Sequence, residues 1–187
     1  MVTYSEIGES DLDEIIKLYE VYLNSGKYIR DSMRENFRKK DYIGVKACDT
    51  GKLAGFFTCQ DGIGFTYPHP EMEAEIAQAA RGKSIYTLDG LAVREEYRSR
   101  GIAEEMVLRL RDILCRKGVG LVLAEQWIYP DGRTIPAYHA LRSMGKTVYE
   151  KKIPMFYRDL NKYQIRCPLC GDNCRCGAMI ELLELDR

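Results

Sequence analysis

The chain has 187 residues, enough for one domain with a small appendage, and 45% of them are hydrophobic and 30% charged, as in globular proteins with a buried core. Lys and Arg together number 28, as do Asp and Glu, so net charge gives no general attraction to nucleic acid or to an anionic membrane. The N-terminus MVTYSEIGES lacks the basic start and apolar core of a signal peptide, and no apolar run approaches the roughly 20 residues of a membrane span. We therefore expect a cytoplasmic protein.

The sequence pattern of the first third of the chain predicts a strand, two helices and a hairpin. Val2–Ile7 is strand-like, and the residues that follow carry an apolar stripe at helical spacing that ends near Gly26. A weaker helix is predicted over Ser32–Arg38. The runs YIGVKACD and LAGFFTCQ are joined by TGK, and Gly51 there is typical of a hairpin turn.

The middle of the chain predicts a parallel strand–helix–strand unit. After a loop and a helix within Asp61–Lys83, Ser84–Val93 is strand-like, Ile102–Lys117 has the apolar stripe of an amphipathic helix, and Val119–Ala124 is a continuous apolar run. These lengths suit a right-handed crossover between parallel strands. A helix over Ile135–Met144 and closing strands near residues 147–149 and 153–157 are predicted to follow.

The turn between this strand and its helix, Arg98-Ser99-Arg100-Gly101-Ile102-Ala103, has two interpretations. A helix N-terminus offers unpaired N–H groups, and a glycine there lets a phosphate approach the backbone closely. The alternative is a basic turn that faces solvent. The physical argument alone leaves both open.

This turn resembles the Q/R-x-x-G-x-G/A signature of the GNAT N-acetyltransferase superfamily, and Leu91-Ala92-Val93 before it and the amphipathic helix after it fit the same pattern. The order of predicted elements is similar to that family over roughly residues 1–158. The resemblance implies an α/β GNAT fold, in which a mixed central sheet with an antiparallel N-terminal hairpin and a parallel, splayed strand pair is flanked by helices.

The resemblance also implies an acetyl-CoA donor and direct transfer to an amine without a covalent acyl-enzyme. The pyrophosphate would be held by backbone N–H groups of residues 100–103. Main-chain groups of Leu91 and Val93 would bind the pantetheine arm where the fourth and fifth strands splay apart. The candidate cofactor-binding residues are Leu91, Ala92, Val93, Arg98, Arg100, Gly101, Ile102 and Ala103.

Two carboxylates are candidates for the base on the acceptor side. An ammonium must lose a proton before its nitrogen attacks a thioester. Asp89 precedes Gly90 on the motif strand, and Glu125 ends the next strand, where carboxyl ends of strands open onto ligands. The structural alternative for each is a strand-end carboxylate bonded to a neighbouring amide or Arg. Trp127, Tyr129 and Tyr67 are predicted in loops near an amine pocket.

Tyr138 is the candidate for protonating the leaving thiolate. The resemblance implies a Tyr four residues before a Gly-Phe pair, but with Gly145 as that glycine, position 141 is Leu and position 146 is Lys. Tyr138 lies one helical turn earlier on nearly the same face and is the substitute. The alternatives are a packed aromatic side chain, with water as the proton donor.

Four of the seven cysteines cluster near the C-terminus as C-x2-C-x3-C-x-C: Cys167, Cys170, Cys174 and Cys176. Four thiolates suit tetrahedral zinc, although the pairs are closer together than in ordinary zinc fingers. An iron–sulfur cluster, disulfides and free thiols are the alternatives. The run MIELLEL afterwards is expected to pack on the main domain or on a second subunit, which would make a homodimer.

We therefore expect a GNAT acetyltransferase domain over residues 1–160 and a Cys-rich metal-binding tail over residues 161–187. The predicted activity is transfer from acetyl-CoA to a primary amine, with a small-molecule acceptor favoured because the insertion at residues 61–83 would cover the acceptor pocket. The alternatives are a catalytically inactive binding module on the same fold and an enzyme that acetylates proteins or peptides.

Overall fold

The computed structural model describes residues 1–135 and 137–185 and contains seven strands and five α-helices in that part of the chain. The strands are β1 (Val2–Glu6), β2 (Ile43–Asp49), β3 (Lys52–Asp61), β4 (Ile85–Val93), β5 (Leu121–Ile128), β6 (Gly145–Ile153) and β7 (Gly177–Leu185). The helices are α1 (Leu12–Tyr22), α2 (Lys27–Asn36), α3 (Pro70–Ala80), α4 (Ile102–Arg116) and α5 (Tyr138–Leu141). None of these helices is long and apolar enough to cross a membrane.

The strands form one mixed sheet in the order β1-β2-β3-β4-β5-β7-β6. β4 and β5 are parallel and every other neighbouring pair is antiparallel. The crossover helix α4 joins β4 to β5, as a parallel pair requires. The predicted N-terminal hairpin and the parallel pair are therefore confirmed.

Apolar side chains cover both faces of the sheet, and this double burial explains the long apolar runs of its central strands. One face packs against α1, α2 and α3 through a core that includes Ile15, Phe56 and Leu123. The other packs against α4 through a core that includes Phe57 and Val122. The buried side of α4 is formed by the predicted stripe: Ile102, Met106, Val107, Leu110 and Leu114.

Three predicted elements differ from those observed. The second helix covers Lys27–Asn36 rather than 32–38, because it begins directly after Gly26, whose φ of 127° ends the preceding segment. The helix predicted over 135–144 is limited to α5 and a 3-10 turn, Arg142–Met144, and Pro136 lies outside the described residues. The run 153–157 is not a strand: β6 ends at Ile153, and turns follow.

The last strand of the sheet comes from the predicted tail. Residues 177–185, which contain MIELLEL, form β7, which pairs with β5 on one edge and with β6 on the other. Both edges are filled within the chain, so this strand is not available to a second subunit. Residues 161–185 thus contribute to the same sheet as residues 1–160.

A chain truncated after residue 160 should fail to fold cooperatively, because β5 and β6 would each lose a hydrogen-bonding partner and the buried side chains of β7 would be missing. Circular dichroism and calorimetric unfolding measure this. A control that ends at Leu185 keeps every strand and should unfold like the full chain. Cooperative unfolding of the truncated chain would instead support a domain boundary at residue 160.

Candidate functional site

A notch opens in the sheet where β4 and β5 separate. Their parallel pairing runs from Ile85↔Leu121 to Leu88↔Ala124 and ends there, although both strands continue, β4 to Val93 and β5 to Ile128. On their outer edges β4 stays paired with β3, and β5 with β7. The two strands are therefore held apart, and the edge of β4 after Leu88 faces an opening instead of a partner.

Main-chain groups of β4 line this notch on one side. The register with β3 passes from Cys59↔Leu88 to Thr58↔Gly90, so Asp89 is the extra residue of a β-bulge. The Asp89 carbonyl accepts from the Tyr19 hydroxyl at 3.4 Å, and the Val93 carbonyl accepts from Arg98 Nε at 3.1 Å. Since polar groups alternate between the two edges of a strand, those of Leu91 lie on the same edge as those of Val93.

The turn 98–103 leads from the end of β4 into α4. Gly101 is the N-cap residue with φ 73°, and Ser99 also has a positive φ of 57°. The bond from the Glu105 N–H to the Gly101 carbonyl opens the helix, so the N–H groups before it have no partner within α4. A Cβ on Gly101 would meet no atom within 4 Å, which leaves the approach to these N–H groups open.

The two arginines of the turn are exposed and lie on tyrosine rings. The Arg98 guanidinium carbon is 4.7 Å from the centroid of the Tyr22 ring, and that of Arg100 is 5.5 Å from the Tyr97 ring. Part of each side chain is thus held by the protein, while the charge stays near the helix N-terminus, where it adds to the positive end of the helix dipole. The turn is suited to bind an anion.

A cavity of about 120 Å³ lies at the notch, between the ends of β4 and β5, the α1–α2 region and the loop at residues 64–66. Asp89 and Glu125 both line it, together with Trp127 and Asn24. No Lys, Arg or His occurs among the lining residues that the structure describes. The structure thus brings together the two carboxylates that the sequence singled out, in a cavity that favours a cationic ligand.

Asp89 is half-buried and is held by a tyrosine. The Tyr42 hydroxyl donates to Asp89 Oδ2 at 2.5 Å. Burial raises the pKa of Asp89, and this hydrogen bond and the positive charge of Lys39 oppose the rise. Burial and the Asp89 charge raise the pKa of Tyr42 well above its usual value, so Tyr42 remains a donor at neutral pH.

Glu125 is held by the loop of the insertion. The Thr66 N–H donates to Glu125 Oε2 at 2.8 Å, and the Thr66 hydroxyl donates to Oε1 at 2.7 Å. Burial raises the pKa of Glu125, the Thr66 hydrogen bonds oppose the rise, and the Asp89 charge adds to it. The structural alternative foreseen for both carboxylates, a bond to a neighbouring group, is thus present in each, but both still line the cavity.

Of the other residues predicted on the acceptor side, Trp127 lines the cavity and Tyr67, Tyr129 and Tyr138 do not. Trp127 lines the cavity and stacks on Tyr157, with ring centroids 4.0 Å apart. Tyr67 packs against Tyr163 and Phe156, and Tyr129 stays in the loop after β5. Tyr138 is not among the lining residues, although Ala137 and Leu141 beside it are, and its hydroxyl accepts from Arg142 at 2.7 Å.

Sequence reasoning missed four residues of the site: Tyr42, Thr66, Asn24 and Tyr157. Asn24 is 2% exposed and its Oδ1 has no hydrogen-bond partner, which leaves an acceptor for a ligand in the cavity wall. The Tyr157 ring is fully buried, and its hydroxyl interacts with Glu125, although its geometry there is outside that of an ordinary hydrogen bond. No local pattern marks these residues: Tyr42, Thr66 and Tyr157 interact with carboxylates that are distant in sequence, and Asn24 is placed in the cavity wall only by the fold.

The four C-terminal cysteines meet in one cluster, which we call the Cys cluster (Cys167, Cys170, Cys174 and Cys176). Their sulfur atoms all lie within 4.8 Å of one another, and no two form a disulfide. The Cys170 and Cys176 sulfurs are 3.7 Å apart, close to the roughly 3.8 Å between sulfurs around a tetrahedral zinc with Zn–S bonds of about 2.3 Å. The Cys170 N–H donates to the Cys167 sulfur, and the Cys176 N–H to the Cys174 sulfur.

Comparison with known proteins fits this geometry. Residues 11–141 match the acetyltransferase (GNAT) family. The chain belongs to that family. No curated protein matches the chain significantly. The match ends at α5, so it includes both carboxylates and the turn 98–103 and excludes the Cys cluster and β7.

Solved structures share the fold of this GNAT chain at low sequence identity. Arabidopsis thaliana NAA60 in complex with acetyl-CoA has a TM-score of 0.70 and 16% identity, covering 98% of both chains. The ribosomal-protein-S18-alanine N-acetyltransferase of Escherichia coli has a TM-score of 0.65 and 17% identity, covering 100% of this chain and 96% of that one. A putative phosphinothricin N-acetyltransferase has a TM-score of 0.63 and 14% identity, with both chains fully covered. At these identities the likenesses show the fold and leave the acceptor open.

Proposed function

We propose that this GNAT chain is an acetyl-CoA-dependent N-acetyltransferase that transfers an acetyl group directly to a primary amine of a small molecule. The observation that carries the proposal is the cavity at the β4–β5 notch, which holds two carboxylates and no described cationic residue. Such a cavity attracts an ammonium group and offers it a base. Membership of the GNAT family supports acetyl transfer as the reaction, and the charge of the cavity supports an amine as the acceptor.

The donor is proposed to bind along the notch and the turn 98–103. The open N–H groups at the start of α4 and the charges of Arg98 and Arg100 suit a pyrophosphate. The unpaired edge of β4 at Leu91 and Val93 offers main-chain hydrogen bonds to an amide-containing arm such as pantetheine. This arrangement directs the thioester toward Asp89 and Glu125, since β4 leads from the turn to the cavity.

Glu125 is proposed as the base and Asp89 as its electrostatic partner. Burial raises the pKa of Glu125 and the Asp89 charge adds to the rise, which moves the carboxylate toward the range in which it accepts a proton at neutral pH. Glu125 takes a proton from the ammonium, the free amine attacks the thioester carbonyl carbon, and the C–S bond breaks as the nitrogen loses its second proton to water and the amide forms. Tyr138 does not line the cavity, so we assign protonation of the leaving thiolate to water.

The small-molecule acceptor is supported by the way the insertion closes over the cavity. Thr66 of its loop binds Glu125, and the Tyr67 hydroxyl donates to the Phe156 carbonyl, which joins the insertion to the segment after β6. A cavity of about 120 Å³ is smaller than the roughly 300 Å³ at the lower end of ligand pockets, so it suits a narrow amine chain. One structural neighbour is by its name a ribosomal-protein N-acetyltransferase, and another is a complex bound to a peptide and CoA, so a peptide acceptor is the second outcome of the test below.

The Cys cluster is proposed to hold a structural zinc ion. All four residues offer sulfur, which zinc accepts in closed four-coordinate sites, and three of the four are buried. The sulfur spacing fits a tetrahedral site, and two sulfurs already accept backbone N–H bonds of the kind that stabilise bound thiolates. Zinc there would take no chemical part in acetyl transfer and would order the segment that contains it.

Gly101→Asp should abolish acetyl-CoA binding, because it adds a negative charge and a side chain where the pyrophosphate is proposed to lie. Gly118→Asp is the matched control: it adds the same charge at the other end of α4, at a glycine with a similar φ of 75° and equally open surroundings. Isothermal titration calorimetry should show micromolar affinity in the control and none in Gly101→Asp. Equal acetyl-CoA affinities in the two variants would show that the turn 98–103 is not part of the donor site.

The wild-type protein should release free CoA from acetyl-CoA in the presence of one or more small primary amines, because the cavity offers both a base and a cation-attracting wall. A thiol assay with a panel of amines, and with a panel of peptides bearing free N-termini or lysines, measures the release. Turnover with peptides alone would overturn the small-molecule acceptor. Tight CoA binding without turnover in either panel would identify a binding module instead of an enzyme.

Glu125→Gln and Asp89→Asn should differ in their pH profiles. Loss of the base should lower kcat by about 10²–10⁴-fold and abolish the acidic limb of kcat/KM. Asp89→Asn removes a negative charge that raises the pKa of Glu125, so the acidic limb should remain and move to lower pH. If the limb disappears in Asp89→Asn and persists in Glu125→Gln, the two roles are reversed.

A further inference from the structure

The segment that contains the Cys cluster, residues 154–176, packs on two parts of the chain that form the walls of the acceptor cavity. It connects β6 to β7 and contains only turns, isolated bridges and one 3-10 helix, Leu160–Tyr163. A segment of this length with so little regular structure is uncommon in a domain unless it is functional or held by other means. The contacts of this segment therefore indicate its role.

The first contact joins the cluster to the wall that carries Glu125. The Tyr157 N–H donates to the Cys176 carbonyl at 3.3 Å, and Cys176 directly precedes β7. The Tyr157 ring is stacked on Trp127 at an interplanar angle of 17°, and burial and the charge of Glu125 raise the pKa of its hydroxyl. The position of Tyr157 thus depends on the backbone of a cluster residue, and the position of Trp127 depends on Tyr157.

The second contact joins the cluster to the opposite wall. Ser25 and Arg166 exchange backbone hydrogen bonds of 3.2 and 2.9 Å, and Arg166 directly precedes Cys167. The backbones are close here: a Cβ on Gly26 would lie 2.1 Å from the Gln164 carbonyl oxygen. Ser25 follows Asn24, whose unpaired Oδ1 belongs to the cavity wall.

We infer that metal binding at the Cys cluster positions the acceptor site. The bound metal would hold Cys176 and Cys167 together. Cys176 contacts Tyr157 beside Trp127 on one wall, and Arg166, next to Cys167, contacts Ser25 beside Asn24 on the other. Tyr157 is then a positioning residue that acts through Glu125 and Trp127. This inference rests on the proposed zinc site and on the proposed acceptor cavity. The donor turn has separate contacts, through Arg98 to Tyr22 and Val93. Metal loss is therefore expected to disturb the acceptor side and spare the donor side.

Trp127 makes the inference testable without any knowledge of the acceptor, since it is the only tryptophan in the chain. The full-length wild-type protein should contain about one zinc per chain by elemental analysis. Removal of the metal with a chelator should shift Trp127 emission to longer wavelength and increase its quenching by acrylamide, because the Tyr157 stack loosens. Adding zinc alone should reverse both changes, while acetyl-CoA affinity by calorimetry stays unchanged throughout.

Matched variants separate positioning from general stability. Cys170→Ser, at the least buried ligand, should lose zinc and reproduce the emission of the metal-free protein, and Cys48→Ser, a half-buried thiol on β2, should change neither. Tyr157→Phe keeps the stacked ring and should respond to zinc like the wild type, whereas Tyr157→Ala should bind zinc without an emission response. With an acceptor found in the amine panel, the metal-free protein should show an acceptor KM raised by about tenfold and an unchanged acetyl-CoA KM.

Three outcomes would overturn the inference. The first is purified protein that contains no zinc and takes none up, or whose four cysteines are found paired as disulfides by mass spectrometry. Either result would show that the cluster binds no metal. Zinc binding without a change in Trp127 emission separates the cluster from the cavity. Loss of acetyl-CoA affinity on metal removal, together with the change in Trp127 emission, would assign the zinc to global stability. None of these results depends on turnover, so a failure of the proposed transferase activity remains distinguishable.

Discussion

The short parallel pairing of β4 and β5 is the constraint on which the site depends. The two strands pair over only four residues each, 85–88 with 121–124, and then diverge while their outer edges stay bound to β3 and β7. On the notch edge of β4 beyond that point, the main-chain groups of Leu91 and Val93 have no strand partner. Because buried backbone polar groups are almost always paired, an edge left open inside a sheet is a place for a ligand that brings its own amide groups.

The same divergence explains the electrostatics of the cavity. The bulge at Asp89 and the next register position on β5, Glu125, put two carboxylates at the mouth of the notch, and no described Lys, Arg or His lines it. Burial raises the pKa of both groups, and the charge of Asp89 raises that of Glu125 further. A cationic ligand relieves this repulsion, so the cavity is complementary to an ammonium before any acceptor is named.

The parts of the fold and site that could be predicted from the sequence are those set by local periodicity. The stripe of α4, the turn 98–103 and the positions of Asp89 and Glu125 follow from spacing along one βαβ unit. The donors that hold those carboxylates could not be predicted, because Tyr42 and Thr66 lie 47 and 59 residues from their partners. The order β5-β7-β6 was missed for a related reason: an apolar run indicates a buried strand but does not specify which strands it pairs with.

The place of the Cys cluster follows from that strand order. For β7 to lie between β5 and β6, the chain must leave β6 at Ile153 and return to the end of β5 that carries Trp127 and Ile128. Ordering such a connection costs conformational entropy, and cross-links that close it reduce that cost. The four cysteines lie at the point of return, immediately before Gly177. Because the return path carries Tyr157 over Trp127, the connection that completes the sheet also supports a residue in the wall of the cavity at the notch.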